Sequence, residues 1–359
     1  MKIKTSKLKE MVGRVVKGAG NNKLIPVTQM LSIHLEAGEL TLCTTDGTNY
    51  LYIKESEVEG DDYETVVPVD LFSKLISRMT CDVVTLEQKD TALYVIGNGK
   101  YALPIQYEDN GDLINYPNPL AGAKWEKKTA EISKDLVNSI LNSVKPALAT
   151  SFEVPCFMGY YVGEKVVATD STLINALDTE VFSKARLLSA ETVDLLEVIT
   201  ADTIKVKFKD EVVCFETPDC IVYGRDLPGI ADFPINQINP YLTEVQFPSY
   251  CEVSGNLLLQ LLDRLSLFVG VYDKGAISIA FTEEGLQITS MGDNGMETIP
   301  YISREGEDAS YLIDVLQLTK QVKAQTGETV KIYYGVDNAI KLVDGKVTQI
   351  IALKSGEAR

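Results

Sequence analysis

The strongest constraint on this chain is a pattern written three times. Residues 5–19, 133–145 and 255–269 each carry an apolar stripe at helical spacing, such as Leu8, Met11, Val12, Val15 and Val16, or Leu136, Val137, Ile140, Leu141 and Val144. A second amphipathic pattern occupies 69–80, 184–199 and 311–323, again at intervals of about 120 residues. Between the two helices of each repeat run alternating strand patterns broken by turn signals: HLEAGELTLCTTD, YVGEKVVATD and ISIAFTEEGLQITS. Thr45-Asp46 and Thr169-Asp170 end two of these runs, 124 residues apart, and Thr289-Ser290 stands at the corresponding place in the third. A pair that recurs at a strand-to-loop junction, and loses its acid in one repeat, marks a structural turn and not a catalytic dyad.

Helix, strands, helix, strands in each repeat predicts an α+β chain of three repeated domains, each with two helices packed on antiparallel sheets. The expected boundaries are 1–122, 123–245 and 246–359, with connectors at NPLAGAKWEKK and PYLTEVQFPS. Thr5 or Ser6 is the expected N-cap of the first helix, and Pro146 the stop of the helix at 133–145.

Chemistry is sparse. The one histidine, His34, sits in the alternating run LSIHLEAGEL and reads as a strand residue. There is no P-loop, H-E-x-x-H or G-x-S-x-G, and Gly97-Asn98-Gly99 between YVI and KYALPI reads as a hairpin turn. Six scattered cysteines without C-x-x-C spacing read as thiols of a reducing compartment. No apolar run is long enough for a membrane span, and the start lacks a signal-peptide core, so a cytoplasmic location is expected. No catalytic residue, metal site or cofactor is expected.

A net charge of −17 opposes nucleic-acid binding unless the positive charge is segregated. It is: the six helical segments hold 13 Lys+Arg against 8 Asp+Glu, while the rest of the chain holds 21 against 43. Helical geometry sets Lys7, Arg14 and Lys17 opposite the first apolar stripe. Lys74 and Arg78 share a face away from Leu71, Leu75 and Met79, and Lys134 and Lys145 border a polar face with Asn138 and Asn142. These seven cations are the candidate phosphate contacts.

In order along the chain, LIPVTQM at 24–30, VATDSTLINAL at 167–177, FPINQINP at 233–240 and YLIDVL at 311–316, near the start of the last helix, resemble the bacterial DNA polymerase III beta subunits, the DNA sliding clamps. The resemblance covers essentially the whole chain and marks a divergent member. It implies that two copies join head to tail into a six-domain ring, with helices lining the hole and acidic sheets outside. Such a homodimer encircles double-stranded DNA without sequence specificity and performs no chemistry. It tethers the replicative polymerase, the clamp loader and other proteins that carry a clamp-binding motif, and it does not involve a membrane. By motif matching, the partner-peptide groove comprises Phe157, Thr169, Ser171, Thr172, Leu173 and Ile174, then Pro234, Ile238 and Asn239, then Ile350, Ile351, Ala352, Leu353 and Lys354. Ser171-Thr172-Leu173 replace the family's Gly-His-Arg, and Ala352-Leu353-Lys354 with SGEAR replace its Met-Pro-Met type of tail, so a different peptide specificity is expected. Divergence of this size suits a clamp encoded by a virus or mobile element, working in the host cytoplasm.

Two other readings compete. One is an acidic interaction scaffold of the same fold that does not encircle DNA. The other is a carboxylate-based, metal-dependent hydrolase using Asp46 or Asp61-Asp62, the latter in the polar turn EGDDYE.

Overall fold

The computed structural model describes residues 1–107, 111–112, 114–179, 181–182, 184–270, 275–292 and 294–355. The first repeat runs β1 (Lys2–Lys4), α1 (Thr5–Val15), β2 (Met30–Glu36), β3 (Glu39–Thr45), β4 (Tyr50–Glu55), β5 (Tyr63–Pro68), α2 (Val69–Arg78), β6 (Val83–Lys89), β7 (Ala92–Ile96) and β8 (Lys100–Pro104). The second runs β9 (Ala130–Ser133), α3 (Lys134–Ser139), β10 (Gly159–Val162), β11 (Lys165–Thr169), β12 (Leu173–Asp178), β13 (Arg186–Ser189), α4 (Ala190–Leu195), β14 (Thr203–Lys209), β15 (Val212–Glu216) and β16 (Cys220–Arg225). After α5 (Ile235–Thr243) the third runs β17 (Ser249–Ser254), α6 (Gly255–Ser266), β18 (Ala276–Phe281), β19 (Leu286–Ser290), β20 (Met296–Ile299), β21 (Ser303–Glu305), β22 (Ala309–Asp314), α7 (Val315–Lys323), β23 (Thr329–Tyr334), β24 (Ala339–Asp344) and β25 (Val347–Ala352). Strand, helix, four strands, helix, three strands therefore recurs, with β21 as the single addition.

Local departures from the sequence pattern have physical causes. A short strand feeds each first helix, so Thr5 is not a cap but the buried first helical residue, its amide bonded to Asp82 O at 2.9 Å. The segment 311–314 likewise belongs to β22, and Asp314 caps α7 by accepting from the amides of Leu316 and Gln317 at 2.9 and 3.2 Å. The helix expected at 184–199 begins only at Ala190, capped by Ser189, which leaves Arg186 buried in β13 and Lys184 before it. The helix at 133–145 ends in a π turn, Ile140–Val144, and a 3-10 turn holding Pro146. Gly97–Gly99 closes the β7–β8 hairpin, and His34 lies on β2 beside Glu36, as expected.

Two compact units form. The first, 1–137 with 189–226, holds sheets ordered β1-β6-β7-β8 and β5-β2-β3-β4-β16-β15-β14-β9. The second, 138–188 with 227–359, holds β13-β10-β11-β12-β25-β24-β23-β17-β21 and β20-β19-β18-β22. The second repeat is thus divided, half to each unit, because its strands complete sheets begun by its neighbours. In the first unit, Tyr116, Leu120 and Trp125 from the 107–129 connector pack with Tyr52, Cys43 and Cys214 over the β4–β16 joint.

The two joints share one register. Tyr50, Ile174 and Met296 lie opposite Thr45, Thr169 and Thr289. Identical ladder steps lead from Lys2, Glu131 and Glu252, each two residues before the end of the strand that feeds a first helix, to Lys100, Ile221 and Thr348. This makes Ala102, Tyr223 and Ile350, two residues further on, equivalent. Tyr50 pairs with Tyr223, and Ile174 with Ile350. Met296 on β20 and Ala102 on β8 occupy the same positions, each on the edge strand of its sheet among the described residues.

Candidate functional site

The Thr-Asp turns are built alike. Asp46 accepts the amides of Thr48 and Asn49 at 2.8 and 2.7 Å and the Asn49 side chain at 2.8 Å. Asp170 accepts the amides of Thr172 and Leu173 at 2.9 and 2.7 Å, and Thr45 and Thr169 each donate to the carbonyl four residues on. Their carboxylates hold a turn, the structural role that the repeat of the pair implies. Asp62 likewise accepts the Ala37 amide at 2.9 Å. The third turn, two residues longer, closes on Ser290, whose amide and hydroxyl both reach Gly295 O.

The fourteen groove residues all fall in the second unit, and its hydrophobic cluster shows how they sort. Phe233, just before α5, is the hub: Phe157 packs edge-on at 6.1 Å between ring centroids, and Tyr161 stacks at 5.3 Å. Ile174, Ile235, Ile238 and Leu242 complete the cluster. Helix α5 presents Ile235, Ile238 and Leu242 at i, i+3 and i+7, one face of a helix. Pro234 starts that helix, and Asn239 accepts the Thr243 hydroxyl through its carbonyl.

Leu173 does not line a groove. It is fully buried opposite Ile351 at the first pairing of β12 with β25. The turn before it is therefore only Asp170-Ser171-Thr172, and Leu173 is a core strand residue, not the replacement of a groove arginine. Ile351, Ile350, Ile238 and Thr169 are buried too, while Phe157, Ile174, Ala352, Leu353 and Lys354 are half-exposed. Ser171 and Thr172 are exposed at the rim, and Gln317 on α7 donates to the Thr172 hydroxyl at 2.6 Å. The C-terminal edge is fixed by Ala352 N to Thr172 O, Leu353 N to Asn338 O, and a Lys354–Asp314 ion pair at 3.0 Å. The sequence reading omitted Tyr161, Phe233, Ile235 and Leu242, although the aliphatic positions Ile235, Ile238 and Leu242 in FPINQINPYL stand at helical spacing.

Ser171 sits at φ 79°, the left-handed region, where Gly47 sits in the first repeat at φ 100°. A Cβ is strained there, so Ser171→Gly is expected to stabilise the chain by about 1 kcal/mol. A raised denaturant midpoint checks this; a lowered one would mean that the seryl side chain holds the turn.

The seven candidate cations divide. Arg14 is nearly buried, with Nη1 on Asp219 at 2.7 Å and Nε on Val198 O at 3.0 Å. Burial pushes the Asp219 carboxyl up, but the Arg14 and Thr217 hydrogen bonds outweigh it and hold the carboxyl below its usual range. Lys134 donates to Leu196 O and Glu197 O at 3.1 and 3.0 Å, and burial lowers its pKa. Both act inside the first unit and are corrected to structural cations. Lys7 pairs with Glu55 at 2.9 Å, and Lys74 with Asp70 at 2.6 Å. Lys145 is exposed, as are Lys17 and Arg78, which have no ion-pair partner among the described residues. Lys320 and Lys323 on α7, exposed in the same way, belong to the basic helical residues of the sequence but were not among the seven named candidates.

No protein-family model matches the chain, and no curated protein matches it in sequence. Solved structures do. The beta subunit from the DNA polymerase of Streptococcus pyogenes superposes with a TM-score of 0.88 at 16% identity, covering 99% of each chain. The DNA polymerase sliding clamp of Bacillus subtilis gives 0.86 at 17%, again over 99% of each chain. The chain has the sliding-clamp fold. A third sliding clamp, from Bartonella birtlesii and bound to griselimycin, gives 0.86 at 15% over 99% of each chain. At such identity the likeness is one of fold. No helix among the described residues is long and apolar enough to cross a membrane.

Proposed function

We propose that this protein is a DNA sliding clamp, a processivity factor without catalytic activity of its own. It encircles duplex DNA as a head-to-tail homodimer in the cytoplasm and tethers a polymerase, a clamp loader and other partners through the groove around Phe233. The single observation that carries this reading is the shared register of the two sheet joints. Each repeat offers one strand to the next repeat, and the rule that joins β4 to β16 and β12 to β25 leaves β20 and β8 over. A second copy satisfies both, with Met296 of one copy opposite Ala102 of the other, and three repeats per copy then close into six. Exposed apolar side chains support the contact: Met296 and Tyr101 on the edge strands, and Phe268 after α6, next to the likewise exposed Leu267. Phe268 lies against β20, 3.4 Å from where a Cβ on Gly295 would stand.

The phosphate contacts fall to Lys17, Arg78, Lys320 and Lys323, with Lys7, Lys74 and Lys145 able to exchange a protein partner for a phosphate. The sheet-borne acidic excess keeps DNA off the remaining surface. For the groove, half-exposed Phe157, Ile174 and Leu353 suit a short peptide with aliphatic or aromatic anchors. The griselimycin-bound relative of the same fold supports a ligand-taking surface on this scaffold.

The test uses Met296→Cys with Ala102→Cys, oxidised after loading onto nicked circular DNA. Cross-linked dimers that survive high salt on the circle, and slide off once it is linearised, are the expected result. Equal retention on circle and line, or cysteines that never cross-link, would favour the acidic scaffold that does not encircle DNA.

A further inference from the structure

The second unit carries a polar cluster that its counterpart in the first unit lacks. At the β12–β25 joint, Asn175 lies directly opposite Gln349, and both are fully buried. The matching pair at the β4–β16 joint is Leu51 opposite Val222, also fully buried. The joint therefore does not need polar groups, and burying amides is costly unless every group is bonded. Two rungs rise from the pair toward α7. The Asn175 side-chain amide donates to Gln321 Oε1 at 2.8 Å and to Ser143 O at 2.7 Å. Gln325, four residues beyond Gln321, donates to Gln349 Oε1. The π turn at Ile140–Val144 supplies the carbonyl that Asn175 uses, and the Ser143 hydroxyl ties the same turn to Ala324 O at 3.1 Å.

Four atoms of this cluster are buried without a partner: Asn175 Oδ1, Gln325 Oε1, Gln321 Nε2 and Gln349 Nε2. They belong to neighbouring rungs, because directly opposed residues project from the same face of a sheet. Turning an amide over exchanges an oxygen for a nitrogen but leaves the number of orphaned groups no smaller. Side chains alone cannot satisfy the set. Two amide donors and two carbonyl acceptors are the complement of one water molecule, which accepts two hydrogen bonds and donates two.

We propose that the amide cluster at the β12–β25 joint is a binding site for one internal water molecule, held between Asn175, Gln321, Gln325 and Gln349. With that water the joint is a closed polar network, which fixes the pairing register: a one-residue slip of either strand would turn its amide to the opposite face and split the pair. The site is a property of this unit's fold and stands whether or not the chain encircles DNA.

The experiment is a crystal structure at a resolution that orders solvent, with water-to-amide magnetisation transfer measured in solution on side-chain-labelled protein. A single solvent peak within hydrogen-bond distance of at least three of the four orphaned atoms, with long-lived transfer to the Gln321 and Gln349 side-chain amides, is expected. A dry cluster whose amides bond one another directly would overturn the proposal. Asn175→Leu with Gln349→Val installs the first unit's pair and is expected to keep the fold while abolishing the transfer to the Gln321 amide, which the variant retains. Persistence of the same transfer signal in a folded double variant would overturn the assignment as well. Asn175→Ser with Gln349 intact serves if the double variant does not fold: it keeps donors and acceptors, and an added second solvent peak is the expected result, whereas an unhydrated gap would count against the site.

Discussion

Leu267→Asp with Phe268→Asp is expected to convert the protein into a folded monomer of 39.5 kDa that no longer stays on circular DNA. Leu267 is 81% exposed and Phe268 49%, so neither holds the core of the second unit. Phe268 stands beside the start of β20 and Leu267 precedes it at the end of α6, where we expect a second copy to cover both. Covering a large apolar side chain contributes about 1.5–3 kcal/mol, and a carboxylate in its place adds a desolvation cost. Two such changes at each of two interfaces should weaken dimerisation by about a thousandfold or more. Sedimentation across a concentration series reads the mass, and an unchanged unfolding midpoint at high dilution confirms that only assembly was touched. A stable dimer from this variant would place the self-contact elsewhere and sink the β20–β8 pairing.

The second large effect concerns the groove. Leu353→Asp with Leu242→Asp is expected to reduce binding of a short synthetic peptide bearing leucine and phenylalanine anchors by about 100-fold or more, with the dimer intact. Both leucines are half-exposed, Leu242 at the edge of the Phe233 cluster and Leu353 beside the Thr172 turn. Losing apolar contact of about 1.5 kcal/mol at each position, before the cost of the new charges, gives that factor. Leu173→Asp is the instructive control. It buries an unpaired charge opposite Ile351 and should unfold the second unit, so its loss of binding would say nothing about the groove. Undiminished peptide binding by the leucine pair would move the partner surface away from α5.

The repeat was legible because helical and strand periodicities are local. The stripe from Leu8 to Val16 and the turn at Thr45-Asp46 depend on neighbours a few residues away, and both formed where the sequence placed them. What failed was set by distant residues. Arg14 lies on the polar side of its helix, as helical geometry requires, but Asp219, 205 residues on, takes its guanidinium. Leu173 follows a motif that elsewhere continues with polar residues, yet its pairing with a strand at the far end of the chain sends it inward. Helix α5 escaped notice as a helix because Pro240 interrupts the pattern and Pro234 precedes it. The sheet joints, with partners more than 150 residues apart, leave no local trace at all.

The division of the second repeat between two units bears on how the molecule can be taken apart. A scissile bond at either expected boundary, near 122 or 245, would free a segment matched to one repeat but strip β4 from β16 or β12 from β25. Each fragment would then display a raw, mostly apolar ladder, the kind of surface that recruits other chains indiscriminately. Excised single repeats should therefore clump, and a soluble half-molecule would have to follow the sheets: residues 1–137 spliced to 189–226, or the complementary pieces. The tandem pattern records how the chain is written, whereas the continuous sheets determine which pieces of it can live alone.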